Sequence, residues 1–334
     1  MTTVTANKKI FMMCEPTNYG IWDPDPKKGF ANKFQEAGHK AFNKDPKGYV
    51  QANLEDWHRI KETIETKAEV VLLPTMENTD TIKYYDQVFT ADASLSMKTN
   101  HGLVTLRSRF TNTERNPEID LHEAFILATD KARGIEGRII KATPFNIEGT
   151  GDNVYDPYRD MFWSGYTVNT DRANASEGRS DKRAHAHLKA ATGTKVNSME
   201  TKEGFFHQDT SLSPLPRGEI VFYPGGVDKK HLKKFNRVAF DKFGLSAKTH
   251  LIEIDAAEAD AYACNQLYIG DNTIIVTNAT SASYQDKLKR AGYDVIPLPA
   301  EKLRESGGAF HCITNPIYED KIDGGYHGMR LEAR

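Results

Sequence analysis

Short apolar runs of strand length alternate with segments of helical periodicity along almost the whole chain, and this alternation limits the possible folds more than any other feature. Strands are predicted at residues 9–14, 69–74, 87–90, 102–106, 138–142, 161–168, 219–223, 249–254, 272–276 and 294–297. Leu54, Trp57, Ile60 and Ile64 recur at a spacing that places them on one face of a helix, predicted over 54–67. Further helices are predicted at 119–132, 229–243, 258–268 and 283–291, with a polar loop running into a helix over 171–191. Strand and helix in turn mean an α/β architecture. The strand–turn–helix–strand unit recurs without repeating its residues. No Pro- or Ser-rich linker interrupts it, so residues 1–334 are expected to form one domain with an ordered core of about 8–320.

Composition narrows the function classes. Of 334 residues 27% are charged, yet the formal net charge is only -2, with Lys and Arg spread along the chain. A nucleic-acid or membrane-surface role calls for a massed basic patch, so both are disfavoured. The opening residues carry no apolar core of signal-peptide length, and no apolar run approaches a membrane span. Cys14, Cys264 and Cys312 form no CxxC pair and cannot build a disulfide framework, which points to a reducing, cytoplasmic setting.

Chemistry-bearing residues collect in a few turns. Ser306-Gly307-Gly308-Ala309-Phe310-His311-Cys312-Ile313-Thr314-Asn315-Pro316 sets a thiol between a glycine pair and an Asn-Pro turn. Asp92 follows a predicted strand, Glu148 and Asp152 flank a glycine turn, and His207 with Asp209 forms a His-x-Asp. Read as a strand, His-x-Asp directs both side chains to one face. Thiol, imidazole and carboxylate together make a nucleophilic set. Each also has an ordinary reading: a buried structural Cys, a core His, a turn-capping carboxylate. The loop over 19–30 is rich in Pro, Gly and Asp, as binding loops often are. Zinc is disfavoured, because His122-Glu123 lacks the second His of a zincin helix.

In order, Met12-Met13-Cys14-Glu15-Pro16, Phe89-Thr90-Ala91-Asp92, Glu114-Arg115, Glu148-Gly149-x-Gly151-Asp152, His207-Gln208-Asp209-Thr210, Tyr223-Pro224 and Gly307-Gly308-x-x-His311-Cys312 resemble the guanidino-modifying superfamily, the penteins. The resemblance covers nearly the whole chain. It implies a five-bladed α/β propeller of ββαβ-type units and a covalent amidino-thioether intermediate, with no metal or organic cofactor. It further implies Cys312 as the nucleophile, His207 as the general acid/base, Glu148 as its partner, and Asp92 and Asp209 as the carboxylates that hold the guanidinium. The acidic turn is one residue longer than the common Glu-Gly-Gly-Asp, so Asp152 competes with Glu148. Asn169 stands where relatives acting on free arginine carry an Arg, so either Arg115 or Arg172 holds a substrate carboxylate or the substrate lacks an α-carboxylate there. The implied activity is hydrolysis of arginine or a methylated arginine. Amidino transfer to an amine is the alternative, and a non-catalytic ligand- or protein-binding pentein is a third reading. The partner is a small guanidino molecule, with homo-oligomers allowed.

Overall fold

The computed structural model describes residues 8–26, 29–30, 34–167 and 179–320. Their strands gather into five small sheets, of which four share one plan. A hairpin lays down two antiparallel strands, a helix crosses over, and a third strand returns parallel to the second. Ser94–Thr99, Gly102–Arg107 and Ile139–Lys141 do this around helix Asn116–Ala132. Asn153–Asp156, Met161–Tyr166 and Lys195–Glu200 do so around Ala184–Thr192. Leu212–Pro214, Ile220–Phe222 and Leu251–Glu253 enclose Lys229–Ala239. Leu267–Gly270, Thr273–Thr277 and Asp294–Leu298 enclose Ala282–Arg290. A parallel return needs a crossover of this length, which is why a helix stands between second and third strands each time.

The fifth sheet follows the plan in a different chain order. Ile10–Cys14 is its middle strand, and helix Pro46–Glu65 leads to the parallel strand Glu69–Leu73. Its remaining strand comes from the far end of the chain, where Asn315 and Pro316 pair antiparallel with Met12 and Phe11. The five sheets therefore close into a five-bladed α/β propeller, as the sequence resemblance implied. Their first strands, with Leu95, Asn153, Ser213, Leu267 and Pro316 among the lining residues, bound a central cavity of about 990 Å³.

Middle strands are covered on both sides, and every residue of Met161–Tyr166 and of Thr273–Thr277 is buried. The helix read from Leu54, Trp57, Ile60 and Ile64 forms, capped by Asp45 with Pro46 in its first turn. Trp57, Ile60 and Ile64 pack with Phe11 and Met13, each contributing about 1.5–3 kcal/mol by leaving water.

Two predicted elements differ. Residues 87–90 are no strand: the Gln87 side chain is tied to Asn18, Met76 and Pro74, and the chain turns into a 3-10 segment, Thr90–Asp92. The apolar run beyond it, Ser94–Thr99, is the strand. Residues 258–268 are no continuous helix either. Helix Ala256–Asp260 ends before Tyr262, whose φ is +58°, and a 3-10 turn Ala263–Asn265 leads into strand Leu267–Gly270. Among the described residues no helix is long and apolar enough to cross a membrane.

Candidate active site

Each blade's first strand is entered through a tight turn, and the five turns meet. Thr90–Asp92 packs on Gly149–Asp152, which packs on Gln208–Thr210, which packs on Ala263–Asn265. The Cys312 turn closes the ring, its carbonyl accepting from Ala91 N at 3.1 Å and His311 N donating to Asn265 O at 3.1 Å. Asp92, Glu148, Asp152, His207, Asp209 and Cys312 all sit in or beside these turns, and each is at most 4% exposed. His207 and Asp209 thus share a site for a reason other than strand alternation. His207 is extended, and Asp209 lies in the 3-10 turn that follows it.

His207 lies between two carboxylates. Its Nε2 donates to Glu148 Oε2 at 2.9 Å, and its Nδ1 lies 3.5 Å from Asp92 Oδ1. Burial would lower its pKa, but Asp92 and the Glu148 hydrogen bond outweigh that and push it up to about 9. Glu148 moves the other way, to about 2: burial is overcome by Arg179 and His207. Its second oxygen accepts from Thr111 N at 2.9 Å. Such closeness of three turns requires glycine. Gly149 has φ +34°, and a Cβ there would stand 2.0 Å from Ala91 O; at Gly151 it would stand 2.6 Å from Asp92 Oδ1.

Asp152, the rival partner, faces elsewhere. It accepts from Ser180 Oγ and from Gln208 N, and burial raises its pKa to about 7. It braces the histidine's turn.

Cys312 donates from Sγ to Asp209 Oδ2 at 3.2 Å and accepts from Asn265 Nδ2 at 3.0 Å. Burial, then Asp209 and Asp92, hold the thiol well above its usual pKa, with Asn265 pulling down. Asn265 Oδ1 also accepts from Ala309 N and Cys312 N, so one amide fixes both the turn and the sulfur. Local periodicity does not mark Asn265. Unit-by-unit comparison does, because it sits before its blade's first strand just as Asp92, Asp152, Asp209 and Cys312 sit before theirs.

The arginines redistribute. Arg115 is 3% exposed, and its fork is filled by Glu118, Asp92 Oδ2 and the carbonyls of Asp86 and Phe89. With no face left for a substrate tail, it instead fixes Asp92. Arg172 and Asn169 lie outside the described residues. The cation at the rim is Arg179, 3.6 Å from Glu148 Oε2, 4.8 Å above the Phe206 ring and 17% exposed. Its signal in the sequence is an Arg followed by a hydroxyl residue, Ser180, ten residues beyond Asn169. Ser180 Oγ accepts from Glu148 N, which anchors that segment to the site.

Cys264 lies in the Ala263–Asn265 turn, but its Sγ is directed to Val221 O at 3.8 Å; burial raises the thiols of both Cys264 and Cys14, Cys14 to about 12. Asp92, Glu148 and His207 bring donor atoms within 4.8 Å of one another. Both nitrogens of His207 face carboxylates and the ring is held protonated, which suits an ion-paired acid better than a metal ligand, since metal binding needs a free ring lone pair.

Two curated relatives are bifunctional arginine dihydrolase/ornithine cyclodeaminases. ArgZ of Synechocystis sp. is 28% identical over 283 residues, covering 84% of this chain and 35% of ArgZ. AgrE of Nostoc sp. is 26% identical over 329 residues, covering 97% of this chain and 40% of AgrE. The chain thus spans two fifths or less of those relatives' length. The solved N-terminal domain of ArgZ bound to product superposes with a TM-score of 0.75 at 24% identity, covering 95% of this chain and all of that domain. A family model for eukaryotic N,N dimethylarginine dimethylhydrolase matches residues 28–319, and the chain belongs to that family, within the guanidino-modifying superfamily.

Proposed function

We propose that this protein is a cysteine-dependent hydrolase of a free guanidino amino acid, arginine or a methylated arginine, acting through an amidino-thioether on Cys312. The observation that carries the reading is a pair of buried carboxylates beside the sulfur. Asp92 Oδ1 and Asp209 Oδ1 are both buried and accept no hydrogen bond from the described residues. Asp92 already meets Arg115 at Oδ2 and has His207 Nδ1 3.5 Å from Oδ1, so the need is greatest at Asp209, whose contacts are the Cys312 thiol and His311. A buried ionised carboxylate left so is costly unless a cation completes it. A planar guanidinium fits, offering N–H donors along two edges with its carbon between them.

The chemistry then follows from the charges. Bound guanidinium offsets Asp209 and Asp92, two of the groups that hold the Cys312 thiol up, and so favours the thiolate. Asp209 and Asp92 orient the guanidinium carbon over Sγ, and Asn265 holds the sulfur. Sulfur attack gives a tetrahedral centre. His207, protonated at neutral pH and ion-paired to Glu148, donates to the departing amine. The neutral imidazole then takes a proton from water, which attacks the amidino carbon and releases the sulfur. Arg179 at the rim is matched to the α-carboxylate of the substrate's tail. Three free cysteines suit a reducing, cytoplasmic compartment. ArgZ and AgrE carry the same reaction class in their names, and the N-terminal domain of ArgZ has been solved covalently bound to a reaction intermediate.

The test is mass spectrometry of purified protein with arginine, methylarginines, agmatine and guanidinoacetate, with and without an acceptor amine, beside Cys312→Ser. Citrulline or ornithine with released ammonia or methylamine, formed without added amine and absent from Cys312→Ser, supports the reading. Product that appears only with added amine makes the protein an amidinotransferase. No product from any compound removes the enzyme reading.

A further inference from the structure

The central cavity of about 990 Å³ has the size of a small-molecule site, and the catalytic residues leave it unused. Asp92, Glu148, His207, Asp209 and Cys312 are all absent from its lining. It lies behind them. Thr150 sits between Glu148 and Asp152, Gln266 follows Asn265, and His311 and Thr314 flank Cys312; with Ser213 these residues form a polar floor. The walls are apolar, with Phe11, Leu95, Phe162, Leu215, Leu267 and Ile269 among them. Charge is kept to the partly exposed mouth, where Lys9 pairs with Glu319 and Lys67 with Asp271. One polar atom of the floor is open. His311 Nδ1 is 2.8 Å from Asp209 Oδ2, so the hydrogen on that nitrogen is donated to the carboxylate. In the neutral ring this leaves a lone pair on Nε2. No described residue bonds Nε2, and 22% of the side chain is accessible. His311 belongs to no cluster of metal-ligating side chains among the described residues, which makes a hydrogen-bond donor its fitting partner.

We infer that the central cavity is a second binding site, for an uncharged amphipathic small molecule whose apolar body packs on the walls and whose O–H or N–H donates to His311 Nε2. Its occupant is coupled to the nucleophile through one carboxylate. A donor at Nε2 polarises the ring and tightens the Nδ1–H bond to Asp209. Asp209 is one of the groups that hold the Cys312 thiol up, and the thiol donates to the same oxygen, Oδ2, at 3.2 Å. Drawing that oxygen's charge toward His311 eases loss of the thiol proton. The inference does not rest on the proposed hydrolysis.

The test is calorimetric titration of the full chain with three probes. 2-Naphthol has the body and the donor, 2-methoxynaphthalene keeps the shape without the donor, and 2-naphthoate puts a carboxylate in its place. 2-Naphthol should bind with a Kd of about 1 mM or below, as suits a ligand of its size. The methyl ether should bind about tenfold more weakly, the share of one hydrogen bond. His311→Leu should abolish that difference. Val154→Phe, which narrows the cavity from a first-strand wall, should weaken 2-naphthol about fivefold or more. Saturating 2-naphthol should speed alkylation of Cys312 by iodoacetamide about two- to tenfold, within one pKa unit of the thiol. Absence of 2-naphthol binding, equal binding of the ether, or tighter binding of 2-naphthoate overturns the inference. So does complete displacement of 2-naphthol by arginine in Cys312→Ser, which would put the probe in the substrate's place. An unchanged alkylation rate overturns the coupling. Should His311→Leu fail to fold, Val154→Phe and the methyl ether decide. None of these readouts uses turnover, so failure to hydrolyse any guanidino compound would sink the hydrolase reading and leave this site standing.

Discussion

Replacing Asn265 by Asp isolates what one buried amide does for the nucleophile. The two side chains have the same shape, and Oδ1 can go on accepting from the N–H groups of Ala309 and Cys312, so the turn should hold. Those two donors also favour the ionised carboxylate. What changes is the group facing the sulfur, from an N–H donor at 3.0 Å to an oxygen. A hydrogen bond to a charged acceptor is worth about 1.5–3 kcal/mol, and its loss alone lowers the thiolate population about ten- to 150-fold. A new negative charge at the same place adds to that, so this range is a floor. The assay is the pH dependence of Cys312 alkylation by iodoacetamide, a neutral reagent, read beside kcat/KM and a thermal melt. Expected are a melt close to wild type, an alkylation curve displaced to higher pH, and kcat/KM reduced by at least the same factor. Wild-type alkylation with an unchanged curve would falsify the claim that Asn265 governs the sulfur.

Other outcomes follow from the same geometry. Glu148→Gln removes a partner that raises His207, so the alkaline fall of kcat/KM, expected near the imidazole's value of about 9, should move to lower pH. The sign for stability agrees. His207 is raised above its ordinary 6.5, so its ion pairs stabilise the fold fully below that value and lose effect as pH rises through about 9; thermal melts across this window should fall less in Glu148→Gln. Arg179→Met should raise KM for arginine about tenfold or more, as loss of a charge-assisted bond does, while changing KM for agmatine, which has no carboxylate, little. Equal effects on both would remove Arg179 from the tail's site. Gly149→Ala sets a methyl against the Ala91 carbonyl in a strained backbone conformation and should cost several kcal/mol by denaturant unfolding, with activity lost.

Much of this could be read from the residues because it is local. Strand and helix periods located most elements, and the resemblance to the guanidino-modifying superfamily singled out Cys312, His207, Asp209, Glu148 and Asp92, which the fold gathers in one place. What escaped depends on the third dimension. Gln87–Thr90 has the apolar content of a strand, but Gln87 is bound by two segments, at Asn18 and at Pro74 and Met76, that only tertiary structure brings near. Glu258–Tyr268 has helical composition, yet the positive φ of Tyr262 breaks it so that Asn265 can reach the sulfur. Arg115 was chosen for its charge, but charge does not reveal that Glu118, three residues on, already occupies its fork.

The strand that completes the first sheet begins three residues after the nucleophile, and this sets an order of events during synthesis. Asn315 and Pro316 pair with Met12 and Phe11, and the Asn315 side chain binds the carbonyls of Thr90 and Ser94. Four blades' worth of carboxylates, histidine and amide leave the ribosome before the thiol does. Contacts spanning some 300 residues carry a large loop-closure cost, so docking of this last segment should come late in folding. A nascent or partly unfolded chain therefore holds an acidic pocket with no sulfur in it, and it cannot trap a guanidino compound covalently before the ring is whole.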